Sequence, residues 1–326
     1  MTINRRALLA SATISLLCAA FPAVAQDKWP SKPITYIVPF PPGGTTDVLG
    51  RLIVPKLATA LGGATIIIDN KGGAGGSIGS ALAAKAPADG YTLLGGTVSS
   101  HAINVSLYPS LGYDPVKSFT PVALIGTNPT LLLVRQDSPF KTLQDVIDAA
   151  KAKKRLTSAS AGSGTSQHLS LEMLKIRSGI DITHIPYKGS GPALIDTMGG
   201  QVDMMFDTPA AAAQHIQSGK LRALAVSSAT RIASLPNVPT IAESGVPGYE
   251  VTSWQGVFAP AGTPQPIIER LHSEIVKILQ EPDMQDRLAK LGMEQQKMST
   301  QQFAEFQKDE VAKWAEVIRK GNIKVE

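Results

Sequence analysis

The chain has 326 residues, 43% of them hydrophobic and 5% aromatic, with 31 basic against 26 acidic side chains and one cysteine. That apolar share supports a packed core, which excludes a disordered or collagen-like chain, and the length suits two domains better than one. A net charge of +5 without interleaved aromatics excludes a strongly basic nucleic-acid binder.

Arg5 and Arg6, an apolar run from Ala7 to Phe21 and the triplet Ala23-Val24-Ala25 form the pattern of a secretory signal peptide cleaved after Ala25. The apolar run is shorter than the ~20 residues a spanning helix needs. The arginine pair reads as ordinary charge of the leader. Cys18 lies inside the leader behind Leu17, not behind the small residue a lipid-anchored cysteine requires. Cleavage leaves 301 residues without cysteine, so thiol catalysis and disulfides are excluded and a periplasmic location is expected.

Beyond the leader, Ile34–Val38 reads as a strand that runs into Phe40-Pro41-Pro42-Gly43-Gly44-Thr45-Thr46. A helix follows from near Asp47, with Thr45 or Thr46 as its cap and Val48, Leu49, Leu52 and Ile53 as its apolar face. Thr65–Ile68 is the next strand, then a Gly-rich loop over 70–77 and an Ala-rich helix. Tyr91–Leu94 is a third strand, entering Gly95-Gly96-Thr97. Three strand–glycine loop–helix units in a row argue for a parallel α/β sheet.

Val122–Val134 reads as a strand pair, 145–153 as a helix, and 156–159 as a strand leading into Gly162-Ser163-Gly164-Thr165-Ser166 and another helix. Strands are expected at 184–187, 202–206 and 221–226. Near the C-terminus, Ile268, Leu271, Ile275 and Ile278 share one helix face. Phe303, Phe306, Val311, Trp314 and Ile318 share another, with Ser299 and Gln302 as a capping box.

Catalytic and nucleotide motifs fail on inspection. From Gly73 and Gly75 the third position of G-x-G-x-x-G is Ile78, and Gly219-Lys220 is followed by Leu221, not Ser or Thr. Around Ser163 the nucleophile elbow is absent, and His168 sits five residues on along a helix, so a Ser163/His168 hydrolase is the weaker alternative. The histidines show no i, i+4 pair, so neither a metal nor a cofactor is expected.

The positive signal concerns anions. Phe40–Thr46 and Ser160–Ser166 both place small residues between a strand and a helix start, where free backbone N–H groups and the helix dipole attract carboxylate or phosphate. Hydroxyls of Thr45, Thr46, Ser163, Thr165 and Ser166 add donors, and no Lys or Arg lies in either loop. Asp47 is placed to pair with Arg51 or to face a ligand amine. Asp207, before Thr208-Pro209, suits a helix cap or a ligand contact. Trp254 suits core or cleft wall, and Tyr187-Lys188-Gly189-Ser190-Gly191 suits a turn presenting polar groups.

Stretches along nearly the whole exported chain resemble the Bug family, the extracytoplasmic solute receptors of tripartite tricarboxylate transporters. They are Trp29-Pro30-Ser31-Lys32-Pro33-Ile34, Val38–Asp47, Asn70–Gly76, Ala86–Leu93, Gly164–His168, His184–Gly189, Leu235–Gly245 and Ala259–Pro264. Lys71-Gly72 departs from the Arg-Pro frequent in the family. The resemblance implies an α/β, two-domain periplasmic-binding-protein fold of type II, a flytrap with a parallel-dominated sheet in each domain. Domain 1 would comprise 26–125 and 228–326, and domain 2 would be 126–227. It implies no enzymatic activity but binding of a small organic carboxylate (mono-, di- or tricarboxylate, or aromatic acid) in the interdomain cleft. The carboxylate would be held by Phe40, Pro42, Gly43, Gly44, Thr45, Thr46 and Asp47 from one loop. Ser160, Gly162, Ser163, Gly164, Thr165, Ser166 and His168 would hold it from the other. Thr97, Tyr187, Lys188, Gly189 and Asp207 join these as candidate contacts, with Phe40 and Trp254 as apolar walls. Implied partners are a large and a small permease subunit, with a sensor kinase as the alternative receiver. A monomer is the default.

Overall fold

The computed structural model describes residues 29–324. The signal peptide, Cys18 and the cleavage site after Ala25 lie outside the described residues. Everything below concerns the compact unit that begins at Lys32.

Two five-stranded sheets organise it. The first has the order β2-β1-β3-β10-β4, built from β1 (Ile34–Val38), β2 (Ile66–Asn70), β3 (Thr92–Thr97), β4 (Phe119–Pro129) and β10 (Thr252–Pro260). The second has the order β7-β6-β8-β5-β9, from β5 (Leu131–Arg135), β6 (Thr157–Ser160), β7 (Thr183–Pro186), β8 (Met204–Asp207) and β9 (Leu221–Val226). In each sheet four of five strands run the same way. Only β10 in the first and β5 in the second are antiparallel to both neighbours. Such sheets are covered on both faces, which is why the strands carry near-continuous apolar runs such as Leu131–Val134, all buried.

The first sheet is joined by helices α1 (Thr45–Ala60), α2 (Ser77–Ala84) and α3 (Asn104–Leu107, behind a π-helical turn at Ser99–Ile103). The second carries α4 (Leu143–Lys151), α5 (Ser166–Ser178), α6 (Ser190–Met198) and α7 (Pro209–Gln217). Helices α8 (Gln265–Gln280), α9 (Pro282–Lys290) and α10 (Thr300–Gly321) follow β10, and α8 and α10 pack on β4. The apolar faces read from spacing are buried at Ile268, Leu271, Ile275, Ile278, Phe303, Trp314 and Ile318. The Ser299/Gln302 capping box is present in both directions.

Three expectations change. The run 122–134 does hold two strands, but they do not pair with each other: β4 and β5 belong to different sheets, and Thr130 is the crossing point. Helix α1 starts at Thr45 with Gly44 as an N-cap without side-chain bond, because both threonine hydroxyls are engaged elsewhere. Strand β10 was not expected, since Gly256 and Pro260 dilute its β signal.

Chain crossings between the sheets lie close together. The Thr130 N–H donates to Ser227 Oγ (2.8 Å) and the Ser227 N–H to the Thr130 carbonyl (2.9 Å). Val251 N–H donates to the Ser227 carbonyl, and Ser227 Oγ to that of Val251. Between them, Ile232 and Leu235 pack on the core of the second sheet.

Candidate functional site

Four helices begin at one cavity. It is lined by Gly44, Thr45 and Thr46 at the start of α1, Ser166 and Gln167 at the start of α5, Ser190 at the start of α6 and Thr208 just before α7. Phe40, Thr97, Ser99, Ala161, Ser253 and Gln255 complete the lining. Each helix start leaves backbone N–H groups without intrahelical partners and carries a partial positive charge. The N-caps of α1 and α6, Gly44 and Gly189, provide no side-chain cap. Those of α5 and α7, Thr165 and Thr208, accept from His168 N–H and Ala211 N–H.

The hydroxyls are already committed to holding the walls together. Thr45 Oγ1 pairs with Thr208 Oγ1 across the cavity, and Thr46 Oγ1 donates to Gln255 Oε1 (2.9 Å). Ser166 N–H donates to Ser99 Oγ (3.2 Å), and Tyr108 OH to the Ser163 carbonyl (2.9 Å). Groups from the two sheets therefore meet directly. The approach is close enough that glycine is required: a Cβ on Gly164, at φ +79°, would lie 2.2 Å from Asn104 Oδ1, and one on Gly75 2.5 Å from the Ser163 carbonyl.

A second, outer chamber lies beside the first, and both share Phe40 and Ala161 as wall. It is lined by Gly73–Gly76, Tyr108, Gly162, Ser163, Pro186, Tyr187 and the exposed Lys188. Of the residues singled out from sequence, the structure thus brings Phe40, Gly44, Thr45, Thr46, Thr97 and Ser166 to the inner cavity. Gly162, Ser163, Tyr187 and Lys188 stand around the outer one.

The others lie behind these walls. Asp47 faces its own loop: its carboxylate accepts from Gly43 N–H, Arg51 Nε and Asn70 Nδ2, all at 3.0 Å. Burial pulls its pKa up, but these bonds outweigh it and hold the group below the usual carboxylate range. Pro42 and Gly43 sit on the outside of that loop, exposed, and line neither chamber. Ser160 Oγ bonds to His184 Nε2 (2.6 Å), Thr165 Oγ1 to the Gly162 carbonyl, and Gly164 N–H donates to His168 Nδ1. Gly189 packs on the Pro41 ring, where a Cβ would come within 2.6 Å. His168 stacks on His184 at 4.1 Å, and burial, then the neighbouring His184 and Lys175, depress its pKa to about 3. It orders the loop as a neutral acceptor, which is no geometry for activating Ser163. Trp254 is core, not cleft wall. Its ring sits against Phe303 and Phe306, and its Nε1 donates to Glu310.

Asp207 ends β8 directly beneath the inner cavity, fully buried. Its Oδ1 accepts from Gln167 Nε2 (3.1 Å), Ser190 Oγ (3.1 Å) and Thr208 N–H (2.8 Å), three residues that themselves line the cavity. Burial raises its pKa to about 6, against the lowering effect of those bonds. Ser99, Gln167, Ser190, Ser253 and Gln255 were the lining residues with the least sequence signal. Ser190 had the Gly189–Gly191 turn and Gln167 the Gly164–His168 stretch; the other three had none.

Among the described residues no three His, Cys, Asp or Glu side chains are grouped to hold a metal, and no helix is long and apolar enough to cross a membrane.

The chain is similar in sequence and structure to known proteins. The family model described as "Tripartite tricarboxylate transporter family receptor" (TctC) matches residues 50–323. Protein BugT of Bordetella pertussis is 38% identical over 326 residues, covering 99% of this chain and 100% of BugT. The R. palustris protein Rpa4515, solved with adipate, is 39% identical with a TM-score of 0.88, over 91% of this chain and 99% of that one. MatC from Rhodopseudomonas palustris, solved with bound malate, is 36% identical with a TM-score of 0.84, over 89% and 100%. The chain belongs to the tripartite tricarboxylate transporter receptor family, that of the Bug proteins, and is a periplasmic-type solute-binding receptor, not an enzyme.

Proposed function

We propose that this receptor closes on a small organic dicarboxylate and delivers it to the large and small membrane subunits of a tripartite tricarboxylate-type permease. One observation carries the reading: four helix N-termini converge on a cavity that, among the described residues, no lysine or arginine lines. The starts of α1 and α6, which no side chain caps, and the converging dipoles of all four helices are suited to an oxyanion and need no counter-charge. Three or four charge-assisted hydrogen bonds at roughly 1.5–3 kcal/mol each leave micromolar affinity after the cost of association. One carboxylate sits in the inner cavity. The second reaches the outer chamber past Phe40, where, among the described residues, Lys188 is the one cation of the lining. Relatives bearing adipate and malate, both dicarboxylates, support this choice.

Export through cleavage after Ala25 goes with this role, supported by the leader pattern and checked by N-terminal sequencing of the exported protein. The split of strands between sheets supports a second domain that starts at Thr130, after the end of β4 and not at the expected 125/126, and ends near the expected 227/228, with the segment from Ile232 to Leu235 resting on it.

The direct test is a thermal-shift series on residues 26–326 with adipate, malate, citrate, benzoate, amino acids and sugars. A dicarboxylate at 100 times its Kd stabilises by about 2.7 kcal/mol. A response to sugars alone, with every acid silent, overturns the reading.

A further inference from the structure

Asp207 is an unusual neighbour for an anion site. Its Oδ1 takes three donors, while its Oδ2 is buried and has no hydrogen-bond partner. A dry, unpartnered carboxylate oxygen favours the neutral acid. The three side chains or N–H groups that bond it, from Gln167, Ser190 and Thr208, also line the inner cavity, so one layer of residues separates it from any ligand there.

No counter-ion comes from the elements packed around it. On α5 the nearest titratable groups are His168 and Glu172, and His168 turns to Gly164 and His184. On α6, Asp196 is bound to Tyr187 OH, and on α1, Asp47 is bound to Arg51. On α7, His215 stands near the other end of the helix, and on β5, Arg135 is paired with Asp137 at the far end of the strand. None of them acts on the Asp207 carboxyl; only burial and its three hydrogen bonds do.

We propose that the receptor binds its carboxylate together with a proton, taken from solvent and held on Asp207 Oδ2, so that the closed complex does not bury two like charges one residue apart. Asp207 is thus a positioning residue. Neutral, it keeps its Oδ1 as acceptor and holds Gln167, Ser190 and the Thr208 N–H in place without repelling the ligand. The proton is gained when the cleft closes and returned when it opens, which ties release to pH. The inference rests on the carboxylate reading above.

The test is titration calorimetry of residues 26–326 with adipate and with malate, in two buffers of different ionisation enthalpy, at pH 5 and pH 8. The inference expects uptake of about one proton per ligand at pH 8 and little at pH 5, with affinity falling up to tenfold per pH unit above pH 7. In Asp207→Asn, uptake at pH 8 vanishes and affinity becomes independent of pH above pH 7, where both ligand carboxyls are already ionised. Binding by the wild type with no proton exchange at pH 8 overturns this inference alone, as does uptake that survives in Asp207→Asn. L-aspartate binding far more tightly than malate without proton exchange also overturns it, since an ammonium would then face an ionised Asp207. Failure of every acid to bind at either pH takes down the carboxylate reading and this inference with it.

Discussion

Asp207→Asn in the ligand-free protein isolates the cost of keeping a carboxyl in that position. Its pKa rises from 3.8 to about 6 on folding. At 1.36 kcal/mol per pH unit this amounts to about 3 kcal/mol. The sign follows from the direction: a raised carboxyl contributes stability below 3.8, and that contribution is lost as pH rises through 6. Asn preserves the shape and the Oδ1 acceptor for Gln167, Ser190 and Thr208, and whatever its buried amide costs is the same at every pH. Urea unfolding of both proteins from pH 4 to pH 8 should therefore show the difference, variant minus wild type, climbing by about 2–3 kcal/mol in favour of Asn. Most of the climb should fall between pH 4 and 6.5. A difference flat across that range would mean Asp207 is ionised in the folded protein at no cost, and the account of its burial would fail.

Other outcomes follow from the same geometry. Gly44→Leu, whose side chain enters the cavity beside Ser190, should abolish adipate binding with little change in melting temperature; unchanged affinity sinks the assignment of that loop. Gly164→Ala drives a methyl against Asn104, so adipate should no longer shrink the radius of gyration in small-angle scattering, as it should in the wild type. Lys188→Ala should weaken adipate about 2–5-fold, as loss of one exposed charge-assisted contact, and leave benzoate unchanged by calorimetry. Trp254→Phe removes one of the two indole donors to Glu310 Oε2, the other being Trp314. It should cost about 1–3 kcal/mol in urea without altering Kd. Burial lowers the pKa of His184 to about 4 and of His168 to about 3, so both contribute stability above 6.5 that is lost as pH falls. His184→Gln should flatten part of that acid loss, read as the unfolding midpoint at pH 5 against pH 7.

What could be read from the chain depended on how locally each feature is encoded. A helix start announces itself over a few neighbours, so the loops at 40–46 and 160–166 and the capping box at Ser299 were legible. So were the helix faces, because their period is written in 16 or 22 consecutive residues. Ser253 and Gln255 were not, since they matter only because β10 inserts between β3 and β4, an event set by packing some 130 to 160 positions away. For Asp47 and Trp254 the sequence left two readings open, and the structure takes the non-ligand one in each: Asp47 pairs with Arg51 and Trp254 is core, held there by partners (Asn70, Glu310) that no local pattern reveals. Asp207 could be placed near the site, yet its charge state depends on how dry its surroundings are, which only the folded chain decides.

Thr130, Ser227 and Val251 give the receptor its mechanical character. Because the strand crossings are laced to one another by reciprocal hydrogen bonds, they form a single narrow pivot and not several independent straps. Rotation about such a pivot would return the two halves to the same register after an opening and bring Thr45 back to Thr208. Softening the pivot, as with Ser227→Ala, would leave the contacts of the shut cleft intact. It would spread the open state over more orientations, and so lengthen the time the receptor takes to capture its cargo.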